Sequence, residues 1–395
     1  MEGNDHVVSL LPEEFKEMVN GIREVELSFG NGNTKTLSQG EIINREVLGK
    51  SLVINCDLRK GKVIESGMVD VRSPGTGIEP YRKKEIIGKI ATRNFKKNDF
   101  FFQSDIDTNL AIEPHKYKFN RPWGIPVRYH DIENLVNKVY PDLVEFHLSN
   151  NDLELNTKNY LLKDYKMDLI VHAPELFGND HILDLSSDDE VYRKISIQYL
   201  QKTIDVTRNI GKFFPNSKKK IPLVVNVGGA TLNKPVSENS KKKMYNVVAD
   251  SLLELDRNGV EIIPQTMPPL PWHFGGQRFH NLFMDPKDII EFCKKHKYRI
   301  CLDISHAKLS CNYNDWDFEK YIKKVAPFTA HLHISDSYGS DGEGVQVGEG
   351  EIDFSSMFNC LDKYCPKISF IPEIWQGHKN FGSGFWYALN KLENL

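Results

Sequence analysis

The sequence predicts a multidomain protein, a small all-β module followed by an α/β domain built as a closed (β/α)8 barrel, with a helical segment ahead of both. Three observations carry this. Eight short apolar segments alternate with helical patterns from about residue 121 to the C-terminus. Between residues 51 and 112 the pattern is instead short β-stretches broken by Gly, Pro, Asn and Lys turns. Before residue 51 the apolar residues recur at helical spacing. A chain of 395 residues has room for a barrel of about 250 residues and one or two smaller units.

Residues 7 to 28 place Phe15, Val19, Ile22 and Val25 on one helical face, and the loop "GNGNTK" follows. This segment, taken with the residues up to 50, reads as a helical connector with little to pack on locally. The β-module, residues 51–112, is drawn from "SLVINCDL", "KVIESGMVDV" and "IIGKIATRNF", with turns at "RKGK", "SPGTGI" and "KKND". After "NRPWG" the barrel grammar begins, and residues 121–395 are assigned to it. Its strands are "GIPVRYH", "LVEFHLS", "MDLIVHAPE", "PLVVNVGG", "EIIPQTM", "RICLDIS", "TAHLHISD" and "SFIPEIW". Segments such as "DEVYRKISIQYLQKTIDVTRNI", "PKDIIEFCKKH" and "DFEKYIKKVA" supply the helices between them.

The charge balance narrows the partners. Lys plus Arg number 51 against 54 Asp plus Glu, so a net charge of −3 gives no pull toward nucleic acid. The runs Lys218 to Lys220 and Lys241 to Lys243 read as solvated surface. Cys56, Cys293, Cys301, Cys311, Cys360 and Cys365 contain no CxxC pair, which suits free thiols in a reducing compartment. No apolar run approaches about 18 residues, and the start "MEGNDHVVSLLPEEF" is acidic where a signal peptide is basic. The expectation is a cytoplasmic protein without membrane or nucleic-acid partners.

Chemistry in such a barrel collects at the C-terminal ends of the strands. Those ends carry His147, His172, Asn226, Gln265, Asp303 with His306, His331 with His333 and Asp336, and Glu373. One His or Asp at a strand end is ordinary; polar residues at seven of eight ends are not. Asp303, His333 and Glu373 come from strands six, seven and eight. They can converge on one divalent cation in a mixed oxygen and nitrogen site suited to Mn, Mg, Co or Zn. Gln265 offers a neutral fourth oxygen. His306, three residues after Asp303, has room to reach a substrate hydroxyl. After strand five, "PWHFGGQRFH" is a long aromatic and polar loop that could bring Trp272, His273 and Arg278 over a substrate.

At these residues the second half resembles the xylose isomerase-like barrel superfamily of sugar isomerases, sugar 3-epimerases and endonuclease IV-type repair enzymes. The motifs are "VEFHLS", "VHAPE", "QTMPP", "CLDISHA", "HLHISDS", "VGEGEIDF" and "IPEIW". The resemblance implies metal ligation by Asp303, His333 and Glu373 and substrate contact by His306, with Gln265 standing where the family has glutamate. Residues 4 to about 110 resemble the C-terminal part of sialic acid synthases, through "DHVVSLLPEEFKEMVNGIREVE" and the SAF (antifreeze-like) core "RSPGTGIEPYRKKEIIGKIATRNFKKND". In those synthases the SAF domain reaches over a partner subunit's active site, and an arginine just before the Pro-Gly touches the sugar. Here Ser73 holds that position and Arg72 stands one place earlier.

The combined expectation is a metal-dependent sugar isomerase or epimerase serving nonulosonate (sialic acid-like) synthesis, the C-terminal part of a synthase fusion. Glu373 is the expected base, with His306 as the second catalytic group. His147, His172, Trp272, Arg278 and Asp336 are expected around a non-phosphorylated sugar, since no glycine-rich phosphate loop is present. The SAF region is expected to pack on another subunit, or on the synthase barrel of the fusion, more than on its own barrel, giving a homo-oligomer. A catalytically idle sugar-binding barrel is the alternative. A DNA repair endonuclease is remote, because "SDGEGVQVGEG" lacks the Asp-x-His of those enzymes.

Overall fold

The computed structural model describes residues 8–29, 39–107, 112–232, 234–271 and 278–395. It divides into two compact units, Met1–Ser38 and Gln39–Leu395. The first contains the helix Pro12–Ser28, begun by a proline and by Glu13 and Glu14 in its first turn, where carboxylates complement the helix dipole. The Glu14 carboxylate accepts the Leu11 N–H at 2.8 Å. Phe15, Met18, Ile22 and Val25 are all exposed along it.

The second unit opens with a helix, Gln39–Leu48, and the SAF-like module. Ser51–Ile54 pairs antiparallel with Val69–Arg72. The rest of the module is tied by single bridges, Val53 to Phe100, Leu58 to Phe95 and Val63 to Ile90. Short helical turns cover Pro80–Arg82, Lys83–Ile86 and Gln103–Ile106. The module is therefore less regularly β than the alternation suggested: its many Gly and Lys turns leave segments too short to form ladders. Leu52, Ile54, Ile64, Phe95 and Phe101 form its own small core. In the "PGTGI" run, a Cβ on Gly75 would lie 2.3 Å from the Arg45 carbonyl oxygen. Only glycine lets the turn close on the preceding helix.

The barrel strands are Gly124–Val127, Leu143–His147, Asp168–His172, Ile221–Val225, Val260–Pro264, Ile300–Asp303, Thr329–Ile334 and Ser369–Pro372. All neighbours pair in parallel. Single bridges from Gln265 to Cys301 and from Trp123 to Phe370 close the ring. Asp189, Ser237, Asp285, Asp317 and Asp353 cap the N-termini of surrounding helices. The barrel interior holds an apolar layer that includes Leu143, Ile170, Val224, Ile263, Cys301 and Ile371. That layer is the floor of what stands above it.

The SAF-like module and the helix ahead of it contact the barrel of the same chain. Asn380 donates to Ser104 Oγ at 2.8 Å, and Lys379 pairs with Glu46. The loop after strand eight is long enough and polar enough to meet the module in the same chain. Among the described residues no helix is long and apolar enough to cross a membrane.

Candidate functional site

Every second side chain of a barrel strand points inward, so each residue of the apolar floor predicts what lies one step above. Leu143 leads to Glu145 and then His147. Ile170 leads to His172, Ile263 to Gln265, Cys301 to Asp303 and Ile371 to Glu373. Asp303 and His333 sit side by side in register. These residues surround the inner end of a cavity of about 960 Å³, whose walls include His147, His172, Gln265, Asp303, His306 and Glu373.

The donor atoms converge. His333 Nδ1 is 2.6 Å from Glu373 Oε2, 3.2 Å from Gln265 Nε2 and 3.8 Å from Asp303 Oδ2. Gln265 Nε2 lies 3.2 Å from Asp303 Oδ2. The opposite nitrogen of His333 faces Glu145, at 3.0 Å from Oε1 and 3.2 Å from Oε2. A carboxylate on one nitrogen fixes the imidazole tautomer and leaves the other nitrogen's lone pair for a cation. His172, His333 and Glu373 also form a group whose ligand atoms all lie within 4.8 Å of one another.

The amide of Gln265 fits the same purpose. His172 Nδ1 is 2.8 Å from the Ala173 carbonyl, which assigns its proton there and leaves Nε2 an acceptor. Gln265 Oε1 faces that Nε2 at 3.2 Å, while the Gln265 amide N–H donates to Asp303 Oδ2. Turning that amide by about 180°, which exchanges two atoms of nearly the same shape, would give His172 an N–H and present the Gln265 oxygen to Asp303, His333 and Glu373. Amide orientation follows the hydrogen-bond partners, so a cation at that point would favour the turned amide.

Electrostatics tie the cluster together. Burial pushes the Asp303 carboxyl up to about 6, with His306 opposing and Glu373 adding to the rise. Burial would also raise Glu373, but His333 and the neighbouring histidines outweigh it and hold that carboxyl below its usual range. Burial disfavours charge on His333, yet the adjoining Cys301, Glu145 and Glu373 side chains raise it well above an ordinary histidine. Glu145 is fully buried. His333, His147 and His331 overcome the cost of that burial and hold it well below the carboxylate range.

The expected residues fall into distinct places. His147 Nε2 contacts Glu145 at 2.9 Å, and its ring lies 4.9 Å from that of His172. His306 lines the cavity, with Nδ1 2.8 Å from the Thr266 carbonyl and Nε2 3.6 Å from Glu343. Asp336 is not at the cavity. Its buried carboxylate accepts the backbone N–H groups of Ser337, Gly348, Gly350 and Ile352, so it braces the loop after strand seven and has no oxygen to spare for a sugar. Arg278 is half-buried and does not line the cavity: the adjoining Phe279–His280 pairs with Ala230–Thr231, which anchors this end of the loop. Trp272 and His273 lie outside the described residues. Sequence reasoning missed Glu145, although a charged residue in mid-strand, two before His147, was a visible signal in "VEFH". It also missed Glu343, 3.6 Å from His306.

Comparison with known proteins follows the same division. The family model described as xylose isomerase-like TIM barrel matches residues 141–387, the SAF domain model residues 49–107 and the NeuB family model residues 1–34. An N,N'-diacetyllegionaminic acid synthase of Campylobacter jejuni is 37% identical over 99 residues, 25% of this chain and 29% of that protein. A pseudaminic acid synthase of the same species is 30% identical over 105 residues, 27% of this chain and 30% of that protein. The chain thus spans under a third of the length of these relatives. A crystal structure of a D-tagatose 3-epimerase-like protein superposes with a TM-score of 0.50 and 20% identity, covering 69% of this chain and 97% of that one. That likeness is one of fold.

Proposed function

The chain belongs to the xylose isomerase-like TIM barrel family, and from that premise we propose that its barrel is a divalent-metal-dependent sugar isomerase. We further propose that it serves the synthesis of nonulosonates as the C-terminal part of a synthase fusion. The observation that carries the reading is the meeting of Gln265, Asp303, His333 and Glu373 around one point at the inner end of the cavity. Mixed oxygen and nitrogen donors suit Mn, Mg, Co or Zn. When bound, such an ion polarises a sugar carbonyl and the hydroxyl beside it.

The chain's own residues supply the rest. Glu373 takes the proton from the carbon next to the carbonyl and returns it to the neighbouring carbon on the same face. His306 moves the hydroxyl proton, with Thr266 and Glu343 orienting its ring. His147 and His172 flank the sugar. Glu145 holds His333 in the tautomer that ligation needs. An epimerase that inverts a carbon generally needs a proton acceptor on each face, and Gln265 cannot act as one. The reading is therefore one-base isomerisation. A non-phosphorylated sugar suits Glu343, Glu349 and Asp131, which put carboxylates on the cavity wall.

The neutral Gln265 also favours a second reading, a barrel that binds sugar without turning it over. Incubating the Mn-loaded protein with D-fructose, D-tagatose and D-xylose in heavy water separates the two. Isomerised product carrying solvent deuterium supports the enzyme. Inversion with deuterium at the inverted carbon overturns the one-base mechanism. Binding without exchange selects the second reading. Relatives named as legionaminic and pseudaminic acid synthases support the biosynthetic setting, and the exposed apolar face of helix Pro12–Ser28 supports assembly into an oligomer.

A further inference from the structure

The cavity's outer wall is not made by the barrel alone. Ile42, Glu46 and Val47, from the helix Gln39–Leu48 ahead of the SAF-like module, line it opposite the loop that follows strand eight. That loop begins two residues after Glu373 and contributes Trp375, Gln376, His378 and Lys379, while Phe385 comes from the helix Lys379–Glu393 that follows. Its backbone is strained. Gln376, Asn380 and Phe381 have φ values of 59°, 49° and 59°, a region that side-chain-bearing residues enter only when their surroundings impose it.

The imposing contacts come from both sides: within the barrel Lys138 and Trp386 donate to the Phe381 carbonyl at 3.2 and 2.8 Å, and the others come from outside it. Lys379 pairs with Glu46 and donates to Gln376 Oε1. Asn380 donates to Ser104 Oγ at 2.8 Å. The Phe381 ring lies 6.0 Å from the Arg93 guanidinium, itself fixed by Asp99 and Asp105 at 3.2 Å each. The helix is joined in turn to the module where Gly75 N–H donates to the Glu46 carbonyl at 2.7 Å. One continuous set of contacts thus runs from the module core, through Glu46, to the loop carried by the proposed base.

We propose that this helix and the SAF-like module complete the barrel's own sugar pocket, with Glu46 and Lys379 as the latch holding the strand-eight loop, and that the wall so formed selects a sugar with an uncharged extension beyond its reacting ring. The selection rests on the sugar reading above; the latch does not. A cavity of about 960 Å³ stands at the top of the usual range of about 300–1,000 Å³, so a sugar ring at the metal end leaves the outer part unfilled. Ile42 and Val47 give that part an apolar side. Lys379 is matched by Glu46 and Arg128 faces Asp152 at 3.9 Å, so among the described residues each of these two cations already has a carboxylate beside it.

Hydrogen exchange on the full chain tests the latch. E46K and K379E should each speed exchange across residues 376–382 by about tenfold or more, because the strained turn loses its clamp. The double variant E46K/K379E, which restores the pair with charges reversed, should recover most of the protection. Single variants with unchanged exchange, or a double variant as fast as the singles, overturn it. Calorimetric titration of the Mn-loaded protein tests selection, using D-fructose, lactulose and fructose 6-phosphate. Lactulose, whose second ring is uncharged, should bind about fivefold or more tighter than fructose, with the phosphate weakest. Ile42→Trp should abolish the advantage of lactulose. Equal affinities, or an unaffected Ile42→Trp, overturn the selection. If none of the three binds, the sugar reading and the selection fall together, while exchange still decides the latch.

Discussion

Replacing Glu145 by Gln removes one negative charge from the middle of the barrel while keeping the side chain's shape. Glu145 is fully buried and lies 2.9 Å from His147, 3.0 Å from His331 and 3.0 Å from His333. Breaking a buried charge network by removing one partner costs about 3–5 kcal/mol. The amide can still accept one imidazole N–H, so the cost here belongs at about 3 kcal/mol. At about 2–4 °C per kcal/mol for a domain of this size, thermal unfolding of the barrel should fall by roughly 6 °C or more. His333 should lose part of its raised basicity, because Glu145 is among the groups that raise it. Loss of the group that orients a ligating histidine weakens metal binding by about 10- to 100-fold. Melting curves and Mn titration on the same preparations read both effects. A variant that melts within about 1 °C of the parent and binds Mn equally well would refute the role assigned to Glu145.

Metal uptake should depend on pH with a definite sign. Asp303, pushed up to about 6, and His333, raised by its carboxylate neighbours, carry protons that an ion must displace. Affinity should therefore rise with pH and fall below pH 6, by about tenfold per unit for each proton displaced, as Mn titration between pH 5 and 8 would show. Gln265→Glu should tighten Mn binding by about tenfold or more, since a third carboxylate offsets more of the ion's charge, and should lower the melting point of the metal-free protein because it faces Asp303. Gly350→Ala should destabilise by about 1–3 kcal/mol in denaturant titration, because its Cβ would lie 2.4 Å from both Asp336 Oδ1 and the Ser337 carbonyl.

The barrel was legible because a buried parallel strand is apolar on both faces and stands out from helical periodicity, as "PLVVNV" does. Asp303, His333 and Glu373 were legible because polar residues ended such runs. Glu145 was harder: its neighbours are apolar, and only its parity with His147 places it inside. Asp336 stands three residues after His333, with no signal that four backbone N–H groups already occupy its carboxylate. Ile42 and Glu46 could not be read at all, since their place depends on how a helix far upstream folds back over strand eight. The SAF-like module hid its irregularity for a related reason, its core being built from single bridges between distant residues.

One ion held by four side chains from strands five to eight is the centre of the proposed chemistry. Anomalous scattering from crystals of the Mn-loaded full chain tests this most directly. A single peak within about 2.0–2.3 Å of Gln265, Asp303, His333 and Glu373 is the predicted result. No peak under saturating Mn, or a peak bound elsewhere with these four side chains still bonded to one another, would contradict it.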